Sequence, residues 1–365
     1  MKFSISQSEL QNALSIVSKG VSTRSTLPVL SGIHIATDDD KLIFQTTDLE
    51  LSIQYAAQAM IDEHGAAVLP GKLLLDIVKN LPDAAVHVTA DETGAIITCD
   101  NSSFSIKAMN AEDFPGFPSV EPEQKISIPF DTFSQMAKRV RKVTSKDESR
   151  AILTGVLLTQ QGDTLRMVAT DSYRLAVAEE KVQTDAEDFS VVIAGAFLSD
   201  LAALPRKGAD IVIAVAENQL LVSYDETVFV NRRLEGKFPN YQQLLPPTCE
   251  TTAQVSTHAL VSAVRRAGLL GQGGSSVRFN IDADSQTITL SSTVQDIGST
   301  QETLNSHIDG TSMEIAFNGD YVVEGLTSVS ASDVVLELQS PMRPGIFKGA
   351  GSTDYLYLVM PVRIA

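Results

Sequence analysis

Gly71, Gly195 and Gly319 stand 124 residues apart and then 124 again, and the sequence around them repeats in kind. The stretches LPGKLLLDIVKNLPDAAVHV, IAGAFLSDLAALPRKGADIVIAV and FNGDYVVEGLTSVSASDVVLEL each read as a short strand, a helix of about ten residues, a loop and an alternating strand. Phe114-Pro115 recurs as Phe238-Pro239, and the 16 residues from Gly32 to Asp48 match the 16 from Gly155 to Asp171. The third copy departs, with Ser276 in the glycine's place and TITLSSTV in place of the Thr-Asp phrase. Such a period is too long for a solenoid unit or a propeller blade, so the chain carries a whole domain three times.

The joins are expected in FPGFPSVEPEQK and LLPPTCETTAQ, which are rich in Pro, Glu and Thr and lack periodicity. The domains are then 1–123, 124–249 and 250–365. Each copy opens on a strand followed by a helix, in FSISQSELQNALSIVSK, ISIPFDTFSQMAKRVRKV and AQVSTHALVSAVRRAGLL. Two helices and six to eight alternating strands per copy predict an α+β fold with helices covering one face of the sheets.

The formal net charge is −17, with 28 Lys and Arg against 45 Asp and Glu. Taken alone this argues against a polyanionic partner, so the placement of the cations matters more than their number. In the opening helix of copy two, Phe133, Met136, Ala137 and Val140 recur at i, i+3, i+4 and i+7 and define a buried face. Lys138, Arg139, Arg141, Lys142 and Lys146 are expected opposite it. A shift of 127 superposes Lys138-Arg139 on Arg265-Arg266, and a shift of −123 superposes Lys142 on Lys19. Lys72 and Lys79 are assigned to the second helix of copy one, and Arg206 and Lys207 to that of copy two. Any solvated helix face carries such residues. Register-matched charge in so acidic a chain points instead to one shared basic surface.

No catalytic, metal or cofactor constellation is expected. Asp48 and Asp171 follow threonines at strand ends and read as turn caps, not as an acid and base pair, and the third copy lacks the Asp. His34, His64, His87, His258 and His307 form no H-x-x-x-H or H-E-x-x-H pattern, and Cys99 and Cys249 form no C-x-x-C. GQGGSS at 271–276 lacks the Gly-Lys-Ser/Thr of a phosphate-binding loop. The longest apolar runs fall short of a bilayer span and no leader pattern opens the chain, which reads as cytoplasmic. In the ending YLYLVMPVRIA, Tyr355 to Val359 reads as a buried strand, whereas the apolar residues beyond it suggest an exposed lip beside a groove.

The threefold repeat, TLPVL at 26–30, VATDSYRLAV at 168–177, EGKFPNY at 235–241 and the terminal YLVMPVRIA together closely resemble the β subunit of bacterial DNA polymerase III, the sliding clamps, along the whole chain. The resemblance implies a non-catalytic processivity factor without cofactor. Two chains would join head to tail into a ring of six domains, with helices lining a hole around duplex DNA and antiparallel sheets outside. The lining would comprise Arg24, Lys72, Lys79, Lys138, Arg139, Lys142, Lys146, Arg150, Arg206, Lys207, Arg265 and Arg266. Phe104 would meet Leu269 and Leu270 of the partner subunit. A pocket gripping peptides of the polymerase III catalytic subunit, the clamp loader, other DNA polymerases and repair proteins would be formed by Leu153, Thr170, Ser172, Tyr173, Arg174, Leu175, Pro239, Leu244, Asn318, Tyr321, Met342, Val359, Met360, Pro361, Val362 and Arg363. Ser172-Tyr173 stand where Gly-His is frequent, Gly274 where an aromatic can line the rim, and the chain ends Ile364-Ala365. A ring holds DNA by topology, so a weakly attractive lining suffices and an acidic exterior discourages stray contact. An enzyme would need a convergent polar cluster, and an adaptor that binds only proteins would not need the matched basic helices.

Overall fold

The computed structural model describes residues 1–22, 26–184, 186–270 and 276–363. Its six α-helices come in pairs, α1 (Gln7–Val17) and α2 (Gly71–Lys79), α3 (Phe130–Val140) and α4 (Gly195–Ala202), α5 (Thr257–Gly268) and α6 (Gly319–Leu326). The repeated glycines are thus the first residues of α2, α4 and α6. At Gly195 the reason is close approach, because a Cβ there would lie 2.8 Å from the Thr154 carbonyl oxygen. Ser6 and Ser256 cap α1 and α5, each side chain accepting from the backbone N–H three residues on, of Glu9 at 3.2 Å and of Ala259 at 3.4 Å. The apolar stripe read from α3 is its buried face, Phe133, Met136, Ala137 and Val140.

Two expected helix extents are corrected. After Val140 the chain tightens into a 3-10 turn, Arg141–Val143, which brings Val143 under the same cover, so Lys142 and Lys146 lie beyond the helix. α4 stops at Ala202 because Pro205 disfavours helical backbone before it, so Arg206 and Lys207 sit in a loop.

The strands form four sheets, every recorded pairing between neighbouring strands being antiparallel. The chain divides into two compact units, Met1–Asp131 with Ala203–Arg233, and Thr132–Ala202 with Leu234–Ala365. The first unit holds a five-stranded sheet running from Met60–Glu63 to Ser102–Lys107, and an eight-stranded sheet in which Thr227–Arg232 of the second copy pairs with Leu51–Gln58 of the first. The second unit holds a nine-stranded sheet, in which Tyr355–Val359 of the third copy pairs with Arg174–Lys181 of the second, and a four-stranded sheet whose outermost strand is Gly298–Asn305. The second copy therefore shares a sheet with each of its neighbours, and the copies are joined by these shared ladders. Phe229 stands opposite Ile53 at one junction and Tyr357 opposite Ala176 at the other, and all four are fully buried.

Candidate functional site

The Thr-Asp phrase is a turn in both copies that carry it. Asp171 Oδ1 accepts from the backbone N–H of Tyr173 at 2.9 Å and of Arg174 at 3.0 Å, and Asp48 Oδ1 accepts from Glu50 at 3.0 Å and Leu51 at 2.7 Å. The tight bend forces the next residue into the left-handed region, φ 77° at Leu49 and φ 79° at Ser172. That is the physical reason glycine suits the position of Ser172.

In the second copy this turn assembles a surface within the second unit. Tyr173 points outward, 60% exposed, with its ring 6.5 Å from that of Tyr321 on α6. Arg174 turns inward beneath it. Its guanidinium donates to Asp171 at 3.0 Å, to Glu324 on α6, to the Lys142 carbonyl at 3.2 Å and to the Tyr357 hydroxyl at 3.4 Å, and it lies 4.3 Å from the Tyr321 ring centre. Burial works against its charge, but the Tyr357 hydroxyl and the two carboxylates hold its pKa above the ordinary value. Burial likewise pushes the Tyr321 hydroxyl up, and the Asp171 charge adds to the effect. Asn318 caps α6, accepting from Asp320 at 2.9 Å and Tyr321 at 3.2 Å, and so orients the Tyr321 ring.

The tail crosses this cluster as the expected lip. Val359 ends the buried strand, then the Met360 N–H donates to the Tyr173 carbonyl at 2.8 Å and the Val362 N–H to the Ala316 carbonyl at 2.8 Å. Met360 is partly open and Arg363 exposed. From the other side, Phe238 and Tyr241 are buried in one apolar cluster with Leu175 and Leu358, which leaves Pro239 and Leu244 exposed on the same segment. Leu153 and Thr170 are buried, and Thr170 braces the turn by donating to the Arg174 carbonyl at 2.8 Å. Met342 is exposed on the loop before Gly345–Gly349. The result is an adaptable apolar surface over a fixed polar foundation. Glu324 was not legible, because its partner is 150 residues away and no local spacing marks it.

The cations divide into two groups. Lys72, Lys79, Lys138, Lys142, Lys146 and Arg265 are exposed and have no recorded ion pair among the described residues. Arg139 is corrected as a solvent-facing cation. Its side chain is only 12% exposed, donates to Asp354 and Ser330 at 2.5 Å each and lies over the Tyr355 ring, since it emerges on the flank of α3 that meets the sheet. Arg266 holds Glu302 through both nitrogens of its fork, one at 2.9 Å. Arg206 pairs with Asp131 at 3.1 Å and Lys207 with Asp225 at 2.6 Å. Arg150 pairs with Asp147 at 3.2 Å and donates to the Ser172 hydroxyl at 2.9 Å, which ties it to the pocket turn. Arg24, Gly274, Ile364 and Ala365 lie outside the described residues. Among the described residues no group of His, Cys, Asp and Glu is arranged to hold a metal, and no helix is long and apolar enough to cross a membrane.

Three family profiles match in succession: DNA polymerase III beta subunit, N-terminal domain, over residues 1–118, the central domain over 127–240 and the C-terminal domain over 242–363. Among curated proteins, the beta sliding clamp of Synechocystis is 32% identical with 100% of both chains covered, and that of Staphylococcus epidermidis is 30% identical over 100% of this chain and 99% of its own. Among solved structures, the DNA polymerase sliding clamp of Bacillus subtilis superposes with a TM-score of 0.95 at 28% identity, and a sliding clamp of Pseudomonas aeruginosa bound to griselimycin with 0.95 at 25%. Both cover 100% of each chain.

Proposed function

The chain belongs to the family of bacterial DNA polymerase III β subunits, the sliding clamps, and on that premise we propose how its surfaces divide the work. It is a non-catalytic processivity factor of DNA replication that encircles duplex DNA and tethers the replicative polymerase, the clamp loader and repair proteins. The chain functions in the cytoplasm as three clamp domains, 1–123, 124–249 and 250–365, and two copies close a ring.

The observation that carries the ring is an imbalance in the sheets. Six strands occupy junction positions, four of them pair at the two junctions within the chain, and Ser102–Lys107 and Gly298–Asn305 remain as outer strands. Unpaired edges invite a partner chain, and two different edges on one chain make a heterologous, head-to-tail contact that must close or polymerise. Six domains from two chains close it.

Duplex DNA is touched through phosphates by exposed cations on and just beyond the helices, Lys72, Lys79, Lys138, Lys142, Lys146 and Arg265. Phosphate contacts carry no sequence information, so the ring slides. Partner peptides lie on the surface between Tyr173, Tyr321, Leu244 and Met360, whose exposed apolar groups over a rigid base suit several ligands.

The test compares rings loaded on closed circular DNA with the same rings after the circle is cut, at one moderate salt concentration. Retention on the circle and prompt loss from the linear form are expected, with Arg265→Glu impairing loading and not dimer mass. Equal loss from both forms would mean that the protein holds DNA by charge alone, and the proposed encirclement would fail.

A further inference from the structure

The chain's two internal junctions share one register. Leu51–Gln58, Arg174–Lys181 and Gly298–Asn305 are counterparts of equal length, eight residues each. Thr227–Arg232, Tyr355–Val359 and Ser102–Lys107 are the closing strands of their copies. At one junction Thr227 stands opposite Tyr55 and Phe229 opposite Ile53, and at the other Tyr355 opposite Ala178 and Tyr357 opposite Ala176. In both, the first residue of the closing strand meets the fifth of the other, and the third meets the third. Transferred to the two outer strands, the rule places Ser102 opposite Glu302 of the partner subunit and Phe104 opposite Thr300 of the partner subunit.

Burial supports the transfer. The third residue of each closing strand is aromatic. Phe229 and Tyr357 are 0% exposed, whereas Phe104, with a strand on one side only, is 38% exposed. These positions face the helices, since Tyr55, two residues from Ile53 on the same face, donates to Glu9 of α1 at 2.8 Å. The same face of Gly298–Asn305 carries Glu302, which Arg266 of α5 reaches. Phe104 therefore enters the seam on the side where Leu269, 79% exposed, ends α5.

The seam's charge is then unusual in its wiring. Gly298–Asn305 carries one charged side chain, Glu302, and Ser102–Lys107 carries only Lys107, at its far end. Opposite Glu302 the partner would offer a serine and no cation. We infer, resting on the ring reading above, that in this register Arg266 neutralises Glu302 from within its own protomer, so that no ion pair need cross the centre of the seam. Arg266 is thereby a seam residue and not a phosphate contact. Closing the seam over Glu302 without Arg266 would enclose an unpaired carboxylate, which opposes association.

Two measurements on the full chain test this, in a Cys249→Ser background because Cys249 is exposed and Cys99 buried. Ser103→Cys with Gln301→Cys, directly opposite in the inferred register, should oxidise to a covalently closed dimer. Ser103→Cys with Ser299→Cys or with Thr303→Cys should not, because diagonal Cβ atoms lie roughly 7–8 Å apart and a disulfide needs about 4 Å. Cross-linking of a shifted pair in preference to the first would overturn the register. By sedimentation, Arg266→Ala should raise the dimer dissociation constant at least about tenfold, and adding Glu302→Gln should restore most of it. The wild-type constant should change little with salt, since of the two seam strands only Lys107, at the rim, carries a charge with no recorded partner in its own chain. An unchanged constant in Arg266→Ala, or steep salt dependence in the wild type, would overturn the assignment of Arg266. A wild type that is monomeric at every concentration would instead remove the ring reading beneath both.

Discussion

At the scale of single residues, one phrase serves two purposes according to what lies beneath it. Asp48 caps a turn and does nothing more in the recorded contacts, whereas Asp171 also holds Arg174, whose side chain is nearly buried. Asp48→Ala should therefore cost about 1 kcal/mol, the loss of a capping carboxylate. Asp171→Ala should cost about 3 kcal/mol because it strips a buried guanidinium of one partner, and it should weaken peptide binding as Arg174 and Tyr321 shift. Chemical denaturation of the two variants checks the ranking, and equal losses would deny Arg174 its structural role. The left-handed position gives a second comparison. Leu49, at φ 77° and exposed, should accept Gly with no loss of stability, while the β-branched Leu49→Val should lose about 1 kcal/mol. The turn was legible because an Asx cap is local in sequence. The Arg174 and Glu324 pair was not, since only the docking of α6 brings it together.

Among the elements, α6 and the tail mark the difference between foundation and surface. Gly325 of α6 lies so close to Tyr357 that a Cβ would sit 2.1 Å from its ring. Gly325→Ala must push α6 off the strand that carries the lip, at a cost of roughly 2–3 kcal/mol with loss of peptide binding. Replacing Met360, Val362 and Arg363 by serine should behave differently. The tail is fixed by the backbone N–H groups of Met360 and Val362, which serine retains, so the melting temperature should hardly move while peptide affinity falls. Unfolding or loss of dimer mass in that variant would make the tail structural. The helix faces were legible from periodicity, but not the fate of each cation on them. Lys138 and Arg139 are neighbours in sequence, yet one is exposed and the other holds Asp354, 215 residues away.

For the whole molecule, the proposed assembly predicts a light-scattering mass near twice the 39.2 kDa of one chain. Phe104→Glu should lower it to that of one folded chain, since the exposed part of Phe104 is worth roughly 2 kcal/mol of apolar burial in each seam and a carboxylate there would be enclosed beside Leu269 without a cation of its own. A full dimer mass in this variant would place the contact elsewhere. The net charge of −17 then has a division of labour: acidic residues dominate the chain, while six exposed cations without a recorded ion pair, Lys72, Lys79, Lys138, Lys142, Lys146 and Arg265, lie on or just beyond the helices.

Sequence alone determined the number of copies, the pairing of a strand with each opening helix, the turn at Asp171 and the apolar lip, because each is written in residues that are neighbours along the chain or recur at a fixed period. Tertiary structure decided what lies between copies. Which strands of one copy continue the sheet of the next depends on antiparallel ladders between segments more than a hundred residues apart, such as Leu51–Gln58 with Thr227–Arg232. Tertiary packing also settled which charges are already satisfied, Arg139 by Asp354 and Arg174 by Glu324 between copies and Arg266 by Glu302 within one, since an ion pair needs only proximity of two side chains and leaves no period in the sequence to read.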